Sequence, residues 1–179
     1  MVLFCGECFH FGYTKYYNEY YDYDGFEEKV DDYGDLAEVY CPCCHNDRFL
    51  EADLDEDLVK ALKEFDKLVP ELKIELTTAC DFREEFSIAK EFSISVLIFA
   101  AAGLCKLRIK YYYDESWRTE EFKEDIYRIL ERAIKNDLKA VINAVKLLSR
   151  TSVKEKVGNV VDWIEKYIRE HPELLANCI

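Results

Sequence analysis

Phe92-Ser93-Ile94-Ser95-Val96-Leu97-Ile98-Phe99 decides what the middle of this chain is. It alternates apolar with serine for five residues and then turns wholly apolar. Alternation with a period of two is the pattern of a half-buried strand. Phe86 and Ile88, which flank Ser87, extend it backwards. The run therefore predicts strands over residues 86–99. It suits a buried helix over residues 95–102 as well, because a short apolar run does not fix its own period.

The neighbours of this run favour the sheet. Leu72, Ile74 and Leu76 alternate with Lys73 and Glu75. Leu107, Ile109, Tyr111 and Tyr113 alternate with Arg108, Lys110 and Tyr112. The connections between these segments are short, and short connections join antiparallel strands. The expectation is an antiparallel sheet over residues 71–113, covered by helices over residues 55–68 and 119–170.

The helices have their own signals. Leu54, Leu58, Ala61, Leu62, Phe65 and Leu68 recur at three and four residues, with acids at the start and Pro70 after the end. In the last third, Phe122, Ile126, Ile129, Leu130, Ala133 and Ile134 form one stripe. Leu138, Val141, Ile142, Val145 and Leu148 form a second, and Val157, Val160, Val161, Ile164 and Ile168 a third. Asn136-Asp137 breaks the first from the second, and Ser152-Val153-Lys154-Glu155 has the form of a capping box for the third.

The N-terminal residues carry a different chemistry. Cys5-Gly6-Glu7-Cys8 and Cys41-Pro42-Cys43-Cys44-His45 each contain a C-x-x-C pair. Such a turn places two sulfurs on one edge of a tetrahedron, and two turns complete four thiolates around Zn²⁺. Residues 1–50 thus resemble a zinc ribbon, with one turn eased by glycine and the other opened by proline. The resemblance implies a structural Zn²⁺ held by Cys5, Cys8, Cys41 and Cys44. Cys43, His10 and His45 are alternative ligands, and disulfides are the rival reading for a chain with eight cysteines.

The fold class expected is α+β. A zinc-ribbon-like module fills residues 1–52, and an α+β domain with a C-terminal helical bundle fills residues 53–179. No apolar run reaches the length of a membrane span. The opening Met1-Val2-Leu3-Phe4 has no basic leader, so a cytoplasmic protein without a membrane role is expected. The chain lacks glutamine and has one methionine, a composition seen in hyperthermophile proteins. There, Cys80, Cys105 and Cys178 would be disulfide candidates; otherwise they are small buried apolar groups.

Charge is concentrated. Residues 1–60 hold 16 acids against 4 bases, a net of −12, and the remainder carries −1. Residues 9–40 contain eight tyrosines and nine acids. Such a field repels phosphates and attracts basic surfaces, while tyrosine is an interface anchor. The partner surface is therefore expected at Tyr16, Tyr17, Tyr20, Tyr21, Asp22, Tyr23, Asp24, Glu27, Glu28, Asp31 and Asp32. A basic protein is the expected partner, and an acidic inhibitor that fills a nucleic-acid groove, viral or anti-defence in role, is one form this takes. The competing view makes the tyrosines the core of a thin sheet.

Residues 126–156 hold eight bases against three acids. Arg128, Arg132, Lys135 and Lys139 fall at helical spacing, an alternative face for nucleic acid or a plain solvated face. Phosphate-loop, dinucleotide and nucleophile-elbow motifs are absent from the sequence. A zinc deaminase would need its second cysteine elsewhere. Asp22-x-Asp24-Gly25 lacks the further ligands of a calcium loop. A binding role is expected ahead of a catalytic one.

Overall fold

The computed structural model describes the backbone of residues 2–17, 20–24, 26–68 and 82–176, and the side chains of residues 2–10, 26–64 and 90–176. The expected strand at Leu72–Leu76 lies outside the described residues. The protein is α+β. The chain gathers into two units: Met1–Asp53 with Lys106–Glu124, and Leu54–Cys105 with Asp125–Ile179.

The first unit is β-structure. Strands β1 (Val2–Cys5), β2 (Phe11–Tyr17), β3 (Tyr20–Asp24), β4 (Glu27–Val30), β5 (Leu36–Tyr40), β6 (Phe49–Ala52), β7 (Leu107–Tyr113) and β8 (Ser116–Glu121) form two sheets. Six strands pair antiparallel in the order β3-β2-β1-β6-β7-β8. The other two, β4 and β5, form a separate ribbon with a register irregularity at Lys29/Val30. Central β1 and β6 are buried at every position. The β7–β8 turn is made by Asp114 and Glu115, both at positive φ, which matches the twist of a two-residue hairpin.

The second unit is helical: α1 (Glu56–Leu68), α2 (Phe82–Ala101), α3 (Ile126–Asn136), α4 (Leu138–Leu148), α5 (Gly158–Glu170) and the short α6 (Glu173–Ala176). Side-chain caps start three of them: Asp55 accepts from Leu58 N, Asp125 from Tyr127 N, and Asp137 from Ala140 N. Asn136-Asp137 separates α3 from α4.

The strands expected over residues 86–99 are α2 instead. This helix packs against α3, α4 and α5, and residues 93–100 are buried at every position. A helical segment buried on every face shows no apolar stripe, so its period disappears from the sequence. Ser93 and Ser95 supplied the false alternation. Ser95 is buried because its Oγ donates to the Glu91 carbonyl at 2.8 Å, one turn back, and needs no water. The expected kink after Ala100 is the helix end. Gly103 at φ 76° lets Leu104 N reach Phe99 O and Gly103 N reach Ala100 O, closing α2 in a Schellman motif.

Two boundaries also moved. Residues 119–121, expected to begin a helix, are the end of β8. The capping box at Ser152 does not open α5. Residues 151–157 make turns with Val153 and Val157 buried, and the helix starts at Gly158.

Candidate metal centre

The two cysteine turns are one turn built twice. Cys5 ends β1; Phe9 takes φ 64°, and Cys5 N donates to His10 O at 2.8 Å. Cys41 follows β5; His45 takes φ 61°, and Cys41 N donates to Asn46 O at 2.8 Å. In each turn the fourth residue after the first cysteine is left-handed, although neither is glycine. Left-handed backbone at Phe9 and His45 costs free energy, and it reverses the chain so that the second sulfur returns beside the first.

The turns face each other across their sulfurs. Cys5 Sγ lies 3.5 Å from Cys44 Sγ, and Cys8 Sγ lies 3.5 Å from Cys41 Sγ. All four sulfur atoms lie within 4.8 Å of one another, a set that could hold a metal ion. Four sulfurs each about 2.3 Å from a tetrahedral Zn²⁺ would be about 3.8 Å apart, so the set fits that ion. A disulfide would need about 2.05 Å, and these cysteines are free thiols.

Cys5 and Cys41 are fully buried within a cluster formed with Leu3, Val39 and Phe49, against which Cys8, Phe26, Leu36, Tyr112 and Trp117 pack. Phe26 lies on Phe49 with ring centroids 4.3 Å apart, and Trp117 meets Tyr112 edge-on at 5.5 Å. The sulfur cluster is thus continuous with the apolar core of its own unit. Cys44 is exposed at its edge. Cys43 is exposed too and stands outside the four-sulfur group. His10 is buried with its ring edge-on to Phe26, and His45 lies over Tyr40, so neither is in the group.

Backbone and amide donors converge on the sulfurs. Cys5 Sγ accepts from Glu7 N at 3.4 Å, Cys8 N at 3.5 Å and Asn46 Nδ2 at 3.6 Å. Asn46 also donates to Arg48 O and accepts from Arg48 N, which locks its amide. The proton affinities follow from this crowding. Hydrogen bonds from the Cys41 and Cys8 thiols, then the amides of Cys8 and Glu7, hold Cys5 far below the ordinary thiol value. Cys41 is pushed up, because its proton serves Cys5 and Cys8 and burial disfavours a charge. For Cys8 the Cys41 hydrogen bond favours the thiolate, yet giving its own proton to Cys5 and being buried raise it to about 12. Ionising all four together takes a positive charge in their midst, and a bound dication supplies one. An ion held by all four sulfurs would have closed coordination, the arrangement of a structural site without a position for substrate.

The residues expected to meet a partner fall on the β2–β3 pair and on β4 with the turn after it. Tyr16 and Tyr17 on β2 pair in register with Tyr21 and Tyr20 on β3, and Asp22, Tyr23 and Asp24 continue that strand; their side chains lie outside the described residues. Glu27 and Glu28 on β4 are exposed, as are Asp31 and Asp32 in the turn that follows. That turn is braced by Asp31, whose Oδ1 accepts from Tyr33 N and Asp35 N. On the helical unit, Arg128 and Lys135 of α3 and Lys139 of α4 are exposed, and Arg132 is half-buried.

Two features were invisible in the sequence. Tyr33 at the ribbon tip is 90% exposed and Val30 beside it 59%. The second feature is an ion cluster. Glu51, 2% exposed, takes Lys110 Nζ at 2.8 Å and an Arg108 guanidinium nitrogen at 3.1 Å, while Arg108 also reaches Asp53 at 2.6 Å. The basic residues of β7 were legible as an alternation, but their partner on β6 is set by register. Among the described residues no helix is long and apolar enough to cross a membrane. No family model matches this chain, and no curated protein or solved structure matches it either.

Proposed function

We propose that this protein is a zinc-stapled binding module whose acidic ribbon docks on a basic protein surface. Cys5, Cys8, Cys41 and Cys44 hold one structural Zn²⁺ in a zinc-ribbon-like arrangement, and the insert between the turns is the working surface. One observation carries the reading: the β4–β5 ribbon. Its carboxylates Glu27, Glu28, Asp31, Asp32, Asp35 and Glu38 are all exposed, with Lys29 the one basic residue among them. Tyr33 and Val30 stand out of that acidic field at the tip. An aromatic anchor inside a ring of like charge suits a complementary cationic surface, where charge steers the encounter and the ring supplies contact area. The metal turn at Cys41 fixes the ribbon's C-terminal end, so less freedom is lost on docking.

The test compares the wild-type protein with a variant in which Glu27, Glu28, Asp31 and Asp32 are replaced by Lys. Retention on an immobilised polyarginine peptide, steeply weakened by salt in the wild type and abolished in the variant, supports the reading. Unchanged retention refutes it. Salt-sensitive retention of the wild type on heparin instead would move the working surface to the Arg128, Lys135 and Lys139 face. Metal analysis of protein purified without chelators tests the zinc separately, with one equivalent expected.

A further inference from the structure

The four sulfurs are not equivalent, and their inequality identifies how the centre opens. Cys5 Sγ is buried and accepts three N–H groups, from Glu7, Cys8 and Asn46. Cys41 Sγ is buried, 3.5 Å from Cys8 Sγ. Cys8 is half-buried against the Leu3–Phe49 cluster. Cys44 is exposed, and among the described residues the one neighbour in hydrogen-bonding range of its sulfur is Cys5 Sγ. A thiolate that accepts N–H bonds spreads its charge into them and is a poorer nucleophile, and burial shuts out the attacking reagent. Both protections are present at Cys5, burial protects Cys41, and both protections are missing at Cys44.

We infer that Cys44 is a modification site: the metal thiolate that soft carbon electrophiles capture, and the ligand through which the centre lets go of its metal. This rests on the zinc reading above. In the step, a sulfur lone pair of Cys44 forms a bond to the electrophilic carbon. With an alkyl halide the carbon–halogen bond breaks and halide leaves with its electron pair. The thiolate becomes a neutral thioether, a far weaker donor, and its bond to the metal is lost. No oxidant or reductant takes part. The consequence is local to the second turn. Cys44 closes the turn that follows β5, the C-terminal strand of the acidic ribbon. Capture of this one sulfur therefore slackens the ribbon's C-terminal anchor while the Cys5–Cys8 turn keeps its hydrogen bonds.

The experiment uses full-length protein carrying Cys43→Ser, which removes the neighbouring exposed thiol that is not a ligand. Metal content is measured first, and one equivalent of zinc is the expected starting point. The protein is then treated with substoichiometric iodoacetamide. Alkylated positions are mapped by peptide mass spectrometry while released zinc is followed with a chromogenic chelator. The expected result is alkylation at Cys44 at least about tenfold faster than at Cys5, Cys8 or Cys41, the margin that one or two lost N–H bonds would give, with zinc released in step with Cys44 labelling. Labelling spread evenly over the four, or led by another ligand, overturns the inference and leaves the zinc reading standing. Protein that contains no zinc from the outset overturns the zinc reading, and the inference with it. A Cys44→Ser variant gives an independent check: it should release zinc to the chelator without any alkylating reagent, and retention equal to the parent would count against Cys44 as the gate.

Discussion

Replacing Glu91 by Gln should make the helical unit more stable at neutral pH, and the gain should vanish in acid. Glu91 sits on α2 with 4% of its surface exposed. Asn143 Nδ2 donates to its Oε1 at 3.1 Å. Burial pushes its carboxyl from the ordinary 4.5 up to about 7; the Asn143 bond and Lys139 oppose the shift, and Asp137 adds to it. The unfolded chain therefore gives up this proton more readily than the folded one. Below the ordinary value both states are protonated and Glu91 costs nothing. As pH rises from 4.5 towards 7, the folded state binds more protons than the unfolded state, so stability falls. Above about 7 the loss is complete. Each pH unit between the two values is worth about 1.4 kcal/mol, which gives a loss on the order of 3 kcal/mol. Gln keeps the volume and an oxygen for Asn143 but cannot ionise. Urea unfolding followed by far-ultraviolet circular dichroism, at intervals from pH 4 to pH 8, would be run on both proteins. The quantity to read is the difference between them, because any loss of bound metal in acid would be common to both. A difference that grows to roughly 3 kcal/mol across that window is expected. A difference independent of pH would refute the reasoning and place a carboxylate with ordinary acidity in that core.

Three further outcomes can be checked. Asn46→Ala removes a donor to Cys5 Sγ and the clamp on Arg48, and should weaken zinc binding about tenfold in a chelator competition. Glu51→Ala removes the buried carboxylate that Lys110 and Arg108 share, although Arg108 keeps Asp53, and should cost about 3 kcal/mol in chemical denaturation, whereas Asp53→Ala, at an exposed carboxylate, should cost under about 1 kcal/mol. Stripping the metal with a strong chelator should quench or shift the fluorescence contribution of Trp117, which packs against the cysteine-bearing core, and leave most of the helical signal in place.

How much of this was legible in the chain differs from element to element. The cysteine turns could be read because their chemistry is local: the i, i+3 spacing is itself the geometry. The helices α3, α4 and α5 could be read because each shows one face to solvent. The central helix could not, since a stripe exists only where there is something polar opposite it, and residues 93–100 of α2 are buried at every position. Ser95, satisfied by its own helix backbone, removed a further cue. The pairing of Glu51 with Arg108 and Lys110 joins residues more than fifty positions apart, and no spacing rule reaches that far. At the ribbon, composition marked the acids correctly as exposed, but Tyr33 is one tyrosine among thirteen, and only the turn at Asp31 places it at a tip.

The β7–β8 hairpin joins the sheet from far along the chain. Residues 54–105 leave after β6, and residues 106–124 come back to pair β7 with that same strand. The polypeptide therefore passes between the two units three times, at 53/54, 105/106 and 124/125. On the ribosome, the strands through β6 and both cysteine turns emerge before the sheet can be finished, so β6 waits with an unpaired edge until the hairpin is made. Closing that loop costs less entropy if its helices have already shortened it. Metal capture by the first 45 residues would hold the unfinished sheet in register during the wait. The same topology means that a single cut within residues 54–105 leaves β6 on one fragment and its ladder partner β7 on the other.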